Sequence, residues 1–181
     1  MDLFRTSYSD PPWPEKGGGK IKRGADEHYP VMDRYAILET IILAEPWVRL
    51  APGAHHHYMW VTNNYLPDGL WLMDALGFRY VTNLVWAKDR IGLGQYFRGQ
   101  HELLLFWVRG SGYDVRTERK DLGTLLEGPR TQHSKKPESA YERIEARSHG
   151  PYLELFARSG RPGWEAWGNE APTQEEAHHG A

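Results

Sequence analysis

The 181-residue sequence contains no cysteine. This absence excludes disulfide bonds, thiolate metal sites and cysteine nucleophiles at once. The chain also has no run of roughly 18 apolar residues, as a membrane span needs, and its start, MDLFRTSYSD, shows neither the basic nor the apolar region of a signal peptide. We therefore expect a protein of the cytoplasm that does not contact a membrane.

A strong net charge is missing as well. The formal net charge is -2, which excludes a generally basic nucleic-acid-binding protein and leaves only a local basic patch for such a contact. The length fits one domain. We place that domain at residues 1–170, followed by a flexible acidic tail at 171–181.

Aromatic residues, by contrast, are abundant at 13%, with eight Trp and ten Tyr. One interpretation is a core and a surface that are both rich in Trp. The other is that some rings stack on a base or a cofactor. Composition leaves both interpretations open.

Short apolar or β-branched runs alternate with helix-like stretches, which is typical of an α/β sheet with crossover helices. The predicted strands are 3–9, 56–62, 81–88, 102–108, 152–157 and 164–168. The predicted helices run from Asp33, as a cap, to near Pro46, from Pro67 to Leu76, and onward from Pro137. The residues predicted to face inward are Ile37, Leu38, Ile41 and Ile42 in the first helix, and Leu70, Met73 and Leu76 in the second.

Polar or unusual residues follow several of the predicted strands. They are Asp10 to Trp13, Asn63 and Asn64, Lys88 and Asp89, Arg158 to Gly160, and Asn169 with Glu170. Ligands of open α/β sheets bind outside the carboxyl ends of the strands. We therefore expect the binding residues among this set.

The segment KGGGKIKR suggests a phosphate-binding loop because Gly19 and Gly24 bracket four residues. However, Ala25 and Asp26 stand where such a loop needs Lys and then Ser or Thr. Two alternatives remain, a plain solvated loop and a basic loop that contacts a nucleic-acid backbone. The basic residues of the second alternative are Lys20, Lys22 and Arg23.

Three consecutive histidines, His55 to His57, suggest a metal site. Successive residues of a strand point to opposite faces, so at most two of the three converge. No carboxylate or further histidine at ligand spacing completes a set. We predict no metal here, and instead a strand that enters the sheet with partly exposed histidines.

The tetrapeptide Asp-Pro-Pro-Trp at 10–13 has a more specific physical logic. Two prolines fix φ twice and remove two backbone donors, so the preceding carboxylate is held still. A ring-conjugated amine is a poor nucleophile, but hydrogen bonds from it to Asp10 and to the Pro11 carbonyl would let its nitrogen pyramidalise and attack. Trp13 or Tyr29 would stack on the flat ring. A strand-ending Asp before a proline-stiffened turn is the structural alternative.

Further motifs follow in order: HYPVM, MWVT, LVWAKD, HSKKPESAYERIE, YLELFAR and GWEAWGNE. Together with DPPW they resemble the MT-A70 family of S-adenosylmethionine-dependent adenine-N6 methyltransferases over nearly the whole chain. The resemblance implies an α/β, Rossmann-like class I methyltransferase fold, with a mostly parallel sheet and helices on both faces. Its motif order is circularly permuted, so that the catalytic motif precedes the cofactor strand.

The resemblance also implies the site. Its catalytic residues would be Asp10, Pro11, Pro12 and Trp13, its cofactor-binding residues Asp10, Lys136, Glu154, Arg158, Asn169 and Glu170, and its substrate-side residues Trp13, Tyr29, Lys20, Lys22 and Arg23. Methyl transfer needs positioning and no metal. The loop SGRPGW is shorter than in larger relatives, so the residue that follows Arg158 onto the cofactor stays open.

The small size is similar to phage and bacterial members of the family. This similarity implies DNA rather than RNA as the substrate, with a flipped base beside Asp10, in the cytoplasm of a bacterium or a phage-infected cell. An RNA adenine-N6 methyltransferase and a non-catalytic nucleic-acid-binding scaffold are the alternatives. A homodimer or pairing with another methyltransferase-like chain is left open.

Overall fold

The computed structural model of the chain describes residues 3–14, 31–92, 96–129 and 135–168. The strands of this part are β1 Thr6–Ser9, β2 Ala54–Val61, β3 Arg79–Ala87, β4 His101–Gly110, β5 Leu125–Leu126, β6 Tyr152–Leu155 and β7 Trp164–Trp167. They form a seven-stranded sheet in the order β5-β3-β4-β2-β1-β6-β7. Only β4 runs against its neighbours, β2 and β3, so the sheet is mostly parallel as predicted.

Three α-helices accompany the sheet in the described ranges: α1 Arg34–Leu43, α2 Leu66–Ala75 and α3 Glu138–Arg147. The predicted cap of α1 is confirmed, because the Asp33 carboxylate accepts hydrogen bonds from the Tyr35 and Ala36 N–H groups at 3.0 and 2.9 Å. Short 3-10 turns lie at Glu45–Arg49, Asn63–Tyr65 and Gly112–Val115. In the described residues, no helix is long and apolar enough to cross a membrane.

The buried faces of α1 and α2 are narrower than the sequence predicted. In α1, Ile42 is 50% exposed. In α2, Gly69, Leu72 and Met73 are buried, whereas Leu70 and Leu76 are only partly so. In α2 the reason is a close approach at Gly69, where a Cβ atom would lie 2.6 Å from Val61 Cγ1 of β2.

The helices cover both faces of the sheet. Residues of α1 and α2 pack with alternate residues of β2, such as Met59 and Val61, in one hydrophobic cluster. Residues of α3 pack with the other set, Tyr58 and Trp60, in a second cluster. This period-two division of β2 between two cores is the reason why the strand is buried along almost its whole length.

The order of the strands reverses between β1 and β6. The chain leaves β1 for β2 through α1 on one face, and it enters β6 from α3 on the other face, so β1 and β6 are parallel neighbours whose connections diverge. A crevice outside the carboxyl ends of the strands arises at such a switch point. The fold therefore directs attention to the residues that follow β1 and β6.

The prediction of partly exposed histidines is wrong. His55, His56 and His57 are 0%, 2% and 0% exposed, because β2 lies inside the sheet and is covered on both faces. Burial lowers the pKa of all three: that of His55 well below its ordinary value, that of His56 to about 4 and that of His57 to about 3. All three rings are neutral at pH 7.

A directed chain of hydrogen bonds satisfies two of these rings. The Phe4 carbonyl can only accept, so His55 donates to it through Nδ1 at 3.0 Å and accepts at Nε2 from the Ser7 hydroxyl at 2.7 Å. His57 then donates through Nδ1 to Ser7 Oγ at 2.6 Å and accepts at Nε2 from Ser9 at 3.0 Å. The partners thus assign one tautomer to each ring and join β1 to β2.

Stability should decrease below about pH 6.5 for this reason. The three histidines bind protons there only after unfolding, since their pKa values in the folded state are lowered. Glu154 of β6 offsets one of these protons, because burial raises its pKa to about 7 and the folded state keeps its proton. The net uptake of two protons corresponds to a loss of about 2.7 kcal/mol in the free energy of unfolding per pH unit between pH 6 and 5.

Urea unfolding at pH 7.5, 6.0 and 5.0, followed by circular dichroism, measures this slope. Replacing the exposed His101 with Gln should leave the slope unchanged. His57→Gln should reduce it by about one proton, or about 1.4 kcal/mol per pH unit. A free energy of unfolding that stays constant from pH 6.5 to 5 would contradict the neutral buried histidines.

Candidate active site

Asp10 directly follows β1 at the carboxyl edge of the sheet. Two backbone hydrogen bonds hold the segment after it, from the Trp13 N–H to the Pro11 carbonyl at 2.8 Å and from the Met32 N–H to the Pro12 carbonyl at 2.9 Å. The Asp10 side chain is 17% exposed. The segment therefore presents a fixed carboxylate, and the Pro11 carbonyl keeps a second lone pair as an acceptor.

Trp13 does not provide the stacking surface that we expected. It is 5% exposed, its ring stacks on Tyr65 with centroids 5.6 Å apart, and its indole N–H donates to the Trp60 carbonyl at 2.9 Å. The Tyr65 hydroxyl donates to the Pro14 carbonyl on the far side of the motif. Trp13 thus anchors the Asp-Pro-Pro segment, because its indole packs in the hydrophobic core against β2.

Lys136, just before α3, connects Asp10 to Glu102 of β4. Its ammonium lies 3.0 Å from Asp10 Oδ1 and 3.2 Å from Glu102 Oε2. Lys88, which follows β3, forms a second ion pair with Glu102, and Arg158 Nη2, beyond β6, lies 3.9 Å from Asp10 Oδ2. We call these five residues the ion cluster. Three cations against two carboxylates leave a surplus positive charge that favours an anionic group nearby.

The ion cluster keeps its buried members charged. Burial alone would raise the pKa of Glu102 and lower the pKa of Lys136. The opposite charges outweigh burial, because Lys136 and Lys88 hold the pKa of Glu102 below its ordinary value, and Asp10 and Glu102 raise the pKa of Lys136. At neutral pH, Glu102 is therefore a carboxylate and Lys136 an ammonium.

Glu154 on β6 supplies another carboxyl group beside Asp10. It is 8% exposed, and the Tyr141 hydroxyl of α3 lies 2.9 and 3.0 Å from its two oxygens. Burial raises the pKa of Glu154 to about 7, and the charge of Asp10 acts in the same direction, against the Tyr141 hydrogen bond. A ligand that donates hydrogen bonds to this carboxylate would favour its ionised form.

A sharp turn follows β6 and brings Arg158 toward Asp10. Phe156 has a φ of 59°, which is rare for a bulky residue, and the Ala157 N–H donates to the Trp167 carbonyl at 3.0 Å. Gly168 permits this approach, because a Cβ atom there would lie 2.6 Å from the Ala157 nitrogen. Backbone strain at the edge of a sheet is a frequent mark of a functional site.

Glu102 is a member of the ion cluster that the sequence did not predict as a site residue, because it lies within the predicted strand 102–108. Lys88 belongs to the residues after strands among which the sequence predicts the binding residues, without a role of its own. The signal for Glu102 was available, because an acidic residue next to the apolar run LLLFWV is buried with that run and needs a cation. The partner was not readable, because Lys136 lies 34 residues further along the chain.

Other predicted site residues lie outside the described residues. They are Lys20, Lys22, Arg23, Tyr29, Asn169 and Glu170, and the predicted tail at 171–181 lies there as well. Within the described ranges, no group of three or more His, Asp or Glu side chains is arranged to hold a metal ion. The chemistry of the described site is therefore that of carboxylates, cations and backbone carbonyls.

Two comparisons with known proteins cover most of the chain. The sequence model of the MT-A70 family matches residues 7–170, which include the seven described strands except Thr6 of β1 and all of the ion cluster. The Type II methyltransferase M.MunI of a Mycoplasma species is 33% identical over 185 residues, which cover 93% of this chain and 78% of that protein. The mostly parallel sheet with helices on both faces is the Rossmann-like fold expected for such enzymes. The chain therefore belongs to the MT-A70 family and is a methyltransferase.

Proposed function

We propose that the protein transfers a methyl group from S-adenosylmethionine to the exocyclic N6 amine of adenine in DNA. The observation that carries this proposal is that two carboxyl groups with different surroundings lie next to each other at the switch point. Asp10, after β1, is held by cations, whereas Glu154, on the adjacent β6, is buried beside a hydroxyl. The first suits an amine that must react, and the second suits neutral hydroxyl groups that must only be held.

On the substrate side, the two acceptors are Asp10 and the Pro11 carbonyl. A hydrogen bond from the amine to each would draw its lone pair out of conjugation, so that the nitrogen becomes nucleophilic. Lys136 and Arg158 keep the Asp10 carboxylate from rotating toward solvent. The nitrogen would form a bond to the methyl carbon as the bond from that carbon to the sulfonium sulfur breaks, which leaves S-adenosylhomocysteine. The nitrogen would also release one proton, and the oxygens of Asp10 could accept it.

On the cofactor side, the donor set fits S-adenosylmethionine. The Glu154 carboxylate can accept hydrogen bonds from the two ribose hydroxyls, and Lys136 and Arg158 offer positive charge to the amino-acid carboxylate. When bound, the cofactor supplies an electrophilic methyl group. Asn169 and Glu170 are proposed to complete this side from their motif alone. In this reaction the chain has to align two ligands, and this alignment needs no metal.

The choice of DNA is supported by the similarity to a Type II methyltransferase. The basic residues Lys20, Lys22 and Arg23 are proposed to contact the nucleic-acid backbone, and Tyr29 the substrate side. Because the N6 amine lies inside a duplex, the adenine must leave the stack to reach Asp10. An intact Asp-Pro-Pro-Trp segment with a fully built ion cluster favours an enzyme over a non-catalytic scaffold.

Asp10→Asn should reduce methyl transfer by a factor of about 10² to 10³, the usual effect of removing one preorganised polar contact to a transition state. Cofactor affinity should change far less, because Glu154 is retained. Mass spectrometry of nucleosides from plasmid DNA and RNA of expressing cells measures the product, and calorimetry with S-adenosylmethionine measures binding.

Asp74→Asn, which removes an exposed carboxylate from α2, is the matched control and should leave both measurements unchanged. Wild-type activity in Asp10→Asn would contradict the catalytic assignment. N6-methyladenine that is found in RNA and not in DNA would contradict the substrate.

The affinity for S-adenosylhomocysteine, used as a stable probe, should depend on Glu154 and on pH. The pKa of Glu154 is raised to about 7, so its proton must leave before two hydroxyls can donate to it. The dissociation constant should therefore be about tenfold larger at pH 6 than at pH 8. Glu154→Gln should bind more weakly at pH 8 and lose this contribution to the pH dependence.

Glu142→Gln on the exposed face of α3 should keep the wild-type profile. The comparison of wild type with Glu154→Gln removes the titration of the ligand itself, which both proteins share. Identical pH profiles of these two proteins would exclude Glu154 from the ribose site.

A further inference from the structure

The connection between β3 and β4, residues 88–100, carries a pair of adjacent aromatic rings in water. Tyr96 is 95% exposed and Phe97 is 91% exposed, and Ile91 in the same connection is 53% exposed. Single exposed apolar residues are common on protein surfaces, but two neighbouring aromatic side chains that expose nearly their whole surface indicate a binding surface. We call the described parts of this connection, residues 88–92 and 96–100, the β3–β4 loop.

The base of the β3–β4 loop is ordered by its own hydrogen bonds. The Lys88 N–H donates to the Gln100 carbonyl at 2.8 Å, and the Gly92 N–H donates to the Gly99 carbonyl at 2.6 Å. Side chains reinforce the two arms, since Arg98 Nε donates to the Gly92 carbonyl at 2.9 Å. The two described arms therefore form the base of a hairpin that continues beyond the sheet, and both rings lie on its second arm.

The hairpin extends from the active-site edge. β3 runs in the same direction as β1, so its carboxyl end and that of β1 lie at the same edge. Lys88 and Glu102, at the base of the loop, belong to the ion cluster around Asp10. Tyr96 is six residues before Glu102, so even a fully extended arm would place its Cα atom at most about 20 Å from that of Glu102.

The charges around the rings favour a nucleic acid over other partners. Arg90, 82% exposed at its side chain, lies at one arm, 3.7 Å from the Asp89 carboxylate. Arg98 directly follows Phe97 on the other arm. Arginines that flank exposed aromatic rings provide phosphate contacts and base stacking together.

We propose that the β3–β4 loop enters the DNA duplex at the target base pair. Tyr96 and Phe97 stack on the bases that become exposed when the adenine leaves the helix, and Arg90 and Arg98 contact the flanking phosphates. This inference rests on the proposed function, since only an enzyme that acts on a duplex has to open a base pair. The proposal gives residues outside the ion cluster a role, which is to stabilise the opened base pair.

The test compares the double substitution Tyr96→Ala/Phe97→Ala on two substrates of one sequence. The first is a fully paired duplex, and in the second the target adenine faces an abasic site and is already unpaired. On the paired duplex, kcat/KM should fall at least about tenfold, the effect of losing one base–aromatic stack. On the unpaired adenine the variant should stay within about threefold of wild type, since opening the pair is no longer needed.

Two controls accompany the test. Tyr113→Ala removes a ring that is 75% exposed, in the turn after β4 at the opposite edge of the sheet, and should change neither rate. Tyr96→Phe/Phe97→Tyr keeps both rings and should restore duplex activity. A 2-aminopurine probe at the target position should brighten with wild type and less with the Ala variant.

The results that would overturn this inference differ from those that would overturn the proposed function. Equal rates of wild type and Ala variant on the duplex, or an equal loss on both substrates, would overturn this inference alone. So would a wild-type dimer that the substitution turns into a monomer, since the rings would then serve a protein partner. A wild-type protein that methylates neither DNA would overturn the proposed function and this inference with it.

Discussion

The ion pairs of Lys136 are the interaction on which the rest of the site depends. One ammonium joins Asp10 after β1 to Glu102 at the start of β4, and it lies 5.4 Å from the centre of the Trp60 ring of β2. Lys136 thus ties the entrance of α3 to strands from the centre of the sheet. Without it, two nearly buried carboxylates would face each other with less compensation, a costly arrangement in a low-dielectric site.

The sheet holds Asp10 in position for the ion pair with Lys136. The directed hydrogen bonds from Ser9 through His57 and Ser7 to His55 fix the register of β1 against β2, up to the residue before Asp10. Trp13 fixes the other side of the motif in the core. A strand and an indole therefore hold Asp10 from both directions, and the prolines between them limit the backbone. Strain after β6 brings Arg158 to the same point.

Local patterns in the sequence predicted much of this fold. Six of the strands, the Asp33 cap and the helix after Pro137 depend on neighbours in the chain, and the resemblance of ordered motifs predicted the permuted family fold. The predictions that were wrong concern residues whose surroundings depend on distant contacts. The three histidines resembled polar residues at a strand end because their partners, Ser7, Ser9 and Ser148, are far away in sequence. Trp13 is close to Asp10 in the sequence, yet packing turns its side chain into the core. Leu72 is buried instead of Leu70, because Gly69 lets α2 approach β2 closely.

In the proposed function, Asp10 and Glu154 hold the two reactants on adjacent strands. A crystal structure of the protein with S-adenosylhomocysteine would show whether they do. We expect the ribose hydroxyls within hydrogen-bond distance of Glu154 and the sulfur on the side of Asp10, between the ends of β1 and β6. A ligand bound elsewhere, such as the shallow groove lined by Trp71, Phe78 and Tyr80 beside α2, with Glu154 still bonded only to Tyr141, would contradict it.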